Sequence, residues 1–267
     1  MSVQQVEALT GSLKPVKENG FWESLDYYRT KIFYPENVLG EIRNFTNSKY
    51  PAARIIGGPI LCNKKSGCRE YKQLDMENTP PVEMNVNRLM FVGTSQTIGA
   101  GASELEKTFF SLLHERINKI QEAVSVNISQ SALSPEEMLA MFSKNVDLFK
   151  PTHVLVNLGY NQATHSFTRV LAEFSAVSKK YNAKIIYISE ANNLVETSDY
   201  IKELNQFIKQ NSLPVIDLYS HLRSSQVNED ISIWWDPVHF NDRGQRLAAD
   251  FLYEELVKLK LIRTRAH

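Results

Sequence analysis

With 267 residues the chain is long enough for one large core, or for one core with a small appendage. Its 43% hydrophobic and 22% charged residues are in ordinary globular balance, and 30 basic against 30 acidic residues leave no net charge to attract nucleic acid or an anionic membrane. No stretch approaches the roughly 18 apolar residues of a membrane span, and Met1 to Gln5 lacks the blocks of a secretory signal. The expectation is a soluble chain, either cytoplasmic or trimmed of a signal or anchor.

In chain order, residues 22–32 carry a helical pattern, and Asn44-Phe45-Thr46 matches the short glycosylation sequon. Cys62 and Cys68 flank a polar, turn-prone segment whose spacing suits a small disulfide loop closing a hairpin. A bridge there would favour an oxidising compartment, periplasmic or extracellular; two free thiols would suit the cytoplasm. Two cysteines alone cannot make a tetrahedral zinc site. Met76-Glu77-Asn78-Thr79-Pro80-Pro81 reads as a surface loop or linker. Residues 1–87 therefore form an N-terminal extension with short strands, too small for a sizeable core of its own, ahead of a larger domain at 88–262.

From Arg88 onward, short apolar runs alternate with amphipathic stretches, the pattern of parallel strands joined by crossover helices. Strands are expected at 88–93, 123–128, 153–158, 184–189 and 214–219. Helices are expected at 102–120, 135–149, 166–181, 197–211 and 242–260. The second helix has the clearest start, with Ser134 as cap, Pro135 in the first turn and Glu137 three residues after the cap. Ser166, Ser198 and Asn241 are candidate caps of later helices. Together these elements predict a three-layer α/β/α sandwich around a five-stranded parallel sheet, with the ligand crevice beyond the carboxyl ends of the strands.

That rule brings separated residues to one edge. Ser95 follows the first of these strands in Gly93-Thr94-Ser95, Ser129 the second, and Gly159, Tyr160 and Asn161 the third. Asp236 and His239 follow the fifth strand, in Trp234-Trp235-Asp236-Pro237-Val238-His239. A carboxylate three residues before an imidazole can orient a general base, and such a base can activate a serine hydroxyl. The glycines around Ser95 do not form a dinucleotide or phosphate-binding loop, nor the Gly-x-Ser-x-Gly elbow.

In four places the chain resembles the SGNH (GDSL-type) hydrolase family, over roughly residues 88 to 260. The blocks are Gly93-Thr94-Ser95-Gln96-Thr97-Ile98-Gly99, Asn127-Ile128-Ser129-Gln130, Gly159-Tyr160-Asn161-Gln162 and Asp236-Pro237-Val238-His239. The resemblance implies a flavodoxin-like SGNH fold, Ser95 as nucleophile, His239 as base and Asp236 as the acid behind it. It also implies an oxyanion hole from the backbone N–H groups of Ser95 and Ser129 and the side-chain amide of Asn161. Three positions depart from the family: Thr94 replaces an aspartate, Ser129 a glycine, and Gln162 an aspartate.

The expected activity is a serine esterase releasing a short acyl group, acetyl first, from a carbohydrate or small-molecule ester without metal or cofactor. The alternatives are O-acyl transfer to a sugar hydroxyl by the same triad, and a non-catalytic domain that binds glycan or a partner in the crevice. Tyr160, with Gly159 beside it, is a candidate substrate contact. One of Trp234 and Trp235 is expected in the core, and Trp235 is the candidate stacking face. Glu190, ending the fourth strand, reads as a loop residue at or near the crevice without an obvious partner. His114, His153, His165, His221 and His267 show no ligand spacing and are expected to be surface or locally satisfied residues.

Overall fold

The computed structural model describes residues 58–83, 86–130, 133–157, 167–191, 206–207, 209–227, 233 and 239–262. The described strands are β1 (Ile60–Asn63), β2 (Gly67–Glu70), β3 (Asn87–Gly93), β4 (Ala123–Asn127), β5 (His153–Asn157), β6 (Lys184–Ile188) and β7 (Val215–Ile216). They form one seven-stranded sheet in the order β2-β1-β4-β3-β5-β6-β7. The five strands from β3 to β7 run parallel, as their uninterrupted apolar runs predict, and β1 adds to the β4 edge in the antiparallel sense.

The helices are α1 (Ser95–Ile98), α2 (Phe109–Asn118), α3 (Pro135–Phe149), α4 (Phe167–Lys180), α5 (Leu218–Val227) and α6 (Asp242–Lys258). Alternate strand residues feed two cores. Leu89, Phe91, Leu155 and Ile186 face a layer with Phe110, Leu113, Leu222 and Leu252, while Met90, Val92, Val154 and Val156 face Met138, Phe142, Leu171 and Phe174. Burial on both faces is why the strands read as continuous hydrophobic runs rather than alternating ones.

Local chemistry sets the element ends. Ser134 and Glu137 form a reciprocal capping box with Pro135 in the first turn, so α3 begins and ends at the expected residues. Asn241 caps α6 by accepting from the N–H groups of Arg243 and Gly244. Two expected elements differ. The 102–120 stretch is a short 3-10 turn (Leu105–Lys107) followed by α2, because Thr108 takes an extended backbone and accepts from Ser111 N–H as an N-cap. The run expected as a strand over 214–219 keeps strand structure only at Val215–Ile216, since Asp217 Oδ1 accepts from Ser220 N–H at 3.0 Å and starts α5.

Cys62 and Cys68 lie opposite each other in the β1–β2 hairpin and are disulfide-bonded, with Cα atoms 4.0 Å apart. The hairpin thus extends the main sheet, and Cys62 itself pairs with Ser125 of β4. At the opposite end of the strands from the Ser95 crevice, buried Arg88 donates to Phe149 O at 2.6 and 2.8 Å and to Pro81 O at 3.2 Å, tying the Pro-rich loop to the end of α3. The expected helix at 22–32, the Asn44 sequon and the caps Ser166 and Ser198 lie outside the described residues. Of the expected 197–211 helix, residues 206–207 and 209–211 are helical.

Candidate active site

Strand β3 ends at Gly93 and the chain turns at once into the four-residue helix α1, which carries Ser95. Gly93 is required by packing: a Cβ there would run into the Thr97 side chain and the carbonyl oxygen of Asn157. Gly99 ends the helix at φ +94°, a left-handed conformation that favours glycine. Asn127, at the end of β4, braces the turn from below by donating to Thr97 O at 2.6 Å. Asn127-Ile128-Ser129 matches the short glycosylation sequon, and this buried bond makes Asn127 a poor place for a glycan.

His239 arrives from the other end of the domain, just ahead of the Asn241 cap of α6. Its Nε2 lies 2.7 Å from Ser95 Oγ, although 144 positions separate the two residues. Both residues are partly exposed, unlike the buried residues on either side of Ser95. Buried Gln245 holds the two segments in register. Its Oε1 accepts from Phe109 N–H at 2.8 Å, and its Nε2 donates to Ala100 O at 3.2 Å and Phe240 O at 3.4 Å. Asp242 adds a second tie, accepting from the N–H and hydroxyl of Ser103, both at 2.7 Å.

The remaining expected site residues divide into two groups. Ser129 is buried just beyond β4, and its N–H, the expected oxyanion donor, donates to Asn127 Oδ1 at 3.1 Å. Gly159, Tyr160, Asn161, Trp235 and Asp236 lie outside the described residues. Glu190 follows β6 outside any helix or strand, as expected, but it is not without a partner: it is buried, and its Oε2 accepts from Thr94 Oγ1 at 2.9 Å. Gln96, on the other side of Ser95, donates to Ala191 O at 2.6 Å. These braces escaped the sequence reading because they join residues about 95 positions apart, and a lone Gln or Glu after an apolar run carries no periodic signal.

The other described histidines do not reach the crevice chemistry. His114 Nδ1 lies 2.8 Å from Ser125 Oγ inside the domain, and burial pushes its pKa down to about 4. His153 sits 2.9 Å from Thr152 Oγ1 and is likewise lowered to about 4, by burial first and by nearby Lys184 second. His221 stacks on Phe251 with ring centroids 3.8 Å apart. His165 and His267 lie outside the described residues. Among the described residues no group of three or more His, Cys, Asp or Glu could hold a metal ion, and no helix is long and apolar enough to cross a membrane.

The architecture recurs in solved structures. A lipase/acylhydrolase from Enterococcus faecalis aligns with TM-score 0.55 at 20% identity, over 68% of this chain and 100% of its own. The chain has the SGNH (GDSL-type) hydrolase fold. A protein from Desulfitobacterium hafniense assigned to the G-D-S-L lipolytic family aligns with TM-score 0.53 at 16% identity, over 64% of this chain and 99% of its own. An acetylxylan esterase from Geobacillus stearothermophilus, solved as a catalytic mutant, gives TM-score 0.56 at 15% identity, over 67% and 97%. No protein-family model and no curated sequence matches the chain.

Proposed function

We infer that the protein is a serine ester hydrolase. The observation that carries this reading is the 2.7 Å contact between His239 Nε2 and Ser95 Oγ at the carboxyl edge of a parallel sheet. A serine hydroxyl is a weak nucleophile until a neighbouring base accepts its proton. With Nε2 as acceptor the ring proton sits on Nδ1, and Asp236, three residues earlier, is the proposed group that holds it and stabilises the imidazolium.

In the proposed reaction Ser95 Oγ attacks the ester carbonyl while His239 takes its proton. The tetrahedral oxyanion collapses as His239 returns that proton to the departing alcohol oxygen, leaving an acyl-serine. Water, deprotonated by the same imidazole, then releases the acid and regenerates Ser95. The oxyanion donors assigned are the N–H of Ser95, the side-chain amide of Asn161 and the N–H of Ser129, which must share or leave its bond to Asn127. One such donor is worth about 2.7–4 kcal/mol in the transition state.

A short acyl group, acetyl first, on a carbohydrate oxygen is the proposed substrate, with Tyr160, Gly159 and Trp235 as its proposed contacts. The likeness to an acetylxylan esterase supports that choice. Hydrolysis of p-nitrophenyl acetate is expected from the wild-type protein and lost in folded Ser95→Ala; equal rates in the two would exclude Ser95 as nucleophile. Product analysis with an acceptor sugar separates hydrolysis from acyl transfer.

A further inference from the structure

We propose that Glu190 is the positioning residue of the nucleophile turn, its buried carboxylate holding Thr94, and through it the backbone of Ser95, in the orientation that meets His239. The proposal rests on reading Ser95 as the nucleophile.

Helix α1 is a single turn of four residues, too short to hold its own direction. Thr94 occupies its N-cap position with extended backbone but makes no side-chain cap bond. The hydroxyl is instead given to Glu190 Oε2 at 2.9 Å, a hydrogen bond across 96 positions with both partners buried. On the far side of Ser95, the Gln96 amide donates to Ala191 O at 2.6 Å. Both chain neighbours of the serine are therefore tied to two consecutive residues beyond β6, while its own Oγ meets His239.

The anchoring segment is itself fixed. Ser189 N–H donates to Ile216 O at 3.1 Å, its Oγ donates to Asp217 Oδ1 at 3.0 Å, and the same Oγ accepts from Tyr219 N–H at 3.0 Å. Glu190 thus projects from a braced strand end, with only 4% of its surface exposed. Carboxylates are rarely so buried, and when ionised they form the stronger class of hydrogen bond. With so little of its surface exposed, Glu190 is assigned a part in the reaction through Thr94 rather than by touching substrate. Its loss should therefore lower kcat and leave KM in place.

The test is steady-state hydrolysis of p-nitrophenyl acetate by full-length variants, with circular dichroism and thermal melting to verify folding. Glu190→Ala and Thr94→Val are expected to lower kcat by about 10- to 100-fold, with KM within about two-fold and the pH profile unmoved. Thr94→Asp, which sets two carboxylates against each other, is expected to fall as far. Adding Glu190→Gln to Thr94→Asp reverses the polarity of the bond, with the amide at 190 donating to the carboxylate at 94, and should recover at least about 10-fold in kcat. Full kcat in folded Glu190→Ala or Thr94→Val overturns the proposal, as does a reversed pair no better than Thr94→Asp alone. If Glu190→Ala does not fold, Thr94→Val and the reversed pair decide. Wild type indistinguishable from Ser95→Ala would remove the nucleophile reading and this proposal with it. A Ser95-dependent enzyme indifferent to Glu190 would remove the positioning role alone.

Discussion

Among the described residues, two serine–histidine pairs are of nearly equal length. Ser95 and His239 meet at 2.7 Å through Nε2, and Ser125 and His114 meet at 2.8 Å through Nδ1. The first joins the exit of β3 to the entry of α6 and is partly exposed; the second joins the middle of β4, beside β1 in the sheet, to α2 and is buried. His114 is 5% exposed, and its Nε2 has no hydrogen-bond partner. The hydrogen bond alone therefore says little about chemistry. Access for a substrate and a place at the carboxyl edge of the sheet separate a candidate catalytic pair from a core contact.

The comparison breaks most sharply on activity. Ser95→Ala and His239→Ala are expected to cut kcat on the order of 10⁴- to 10⁶-fold. Ser125→Ala should leave ester hydrolysis unchanged while lowering stability by about 1–3 kcal/mol in urea denaturation, because it strips buried His114 of its hydrogen bond. Comparable activity losses at the two serines would contradict the assignment.

Acid should find the buried pair next. His114 and His153 are held near 4 by burial, against an ordinary value of 6.5. As pH falls below about 6.5 the unfolded chain binds protons that the folded protein refuses, so stability drops until about pH 4 and then levels, by up to about 3 kcal/mol per histidine. Above that window neither group contributes a slope. Urea titrations at pH 7 and 4.5 should show a smaller acid loss in His114→Gln than in wild type; an unchanged loss would sink the account.

Reduction of the Cys62–Cys68 bridge is expected to loosen β1, in which Cys62 pairs with Ser125 of β4. With a sequence separation of 6, the closed loop is worth about 2 kcal/mol in the chain-entropy account. A lower midpoint with unaltered esterase kinetics is the expected result. Ser134→Ala, at the capping box of α3 and in neither pair, should cost about 1 kcal/mol and leave kinetics alone.

The parallel strands were readable because burial on both faces turns each into an apolar run, and α3 because Ser134, Pro135 and Glu137 form a self-contained signal. Asp217 marks where reading failed: Val215, Ile216, Leu218 and Tyr219 look like one strand until a side-chain oxygen takes a backbone N–H and begins α5. The site divides in the same way. Ser95 and His239 stand in short local motifs, whereas Glu190, Gln96 and Gln245 act through partners far along the chain and leave no pattern near themselves.

By itself the sequence determined what depends on near neighbours: the alternation of apolar strands and amphipathic helices, the caps, and the short blocks around Ser95, Ser129 and His239. Tertiary structure alone decided that His114 meets Ser125, that the disulfide hairpin joins the β4 edge, and that Glu190 reaches Thr94. Hydrogen bonds across 96 or 144 positions exist only once the sheet brings its strand ends together, because their geometry belongs to the packed layers and to no single segment.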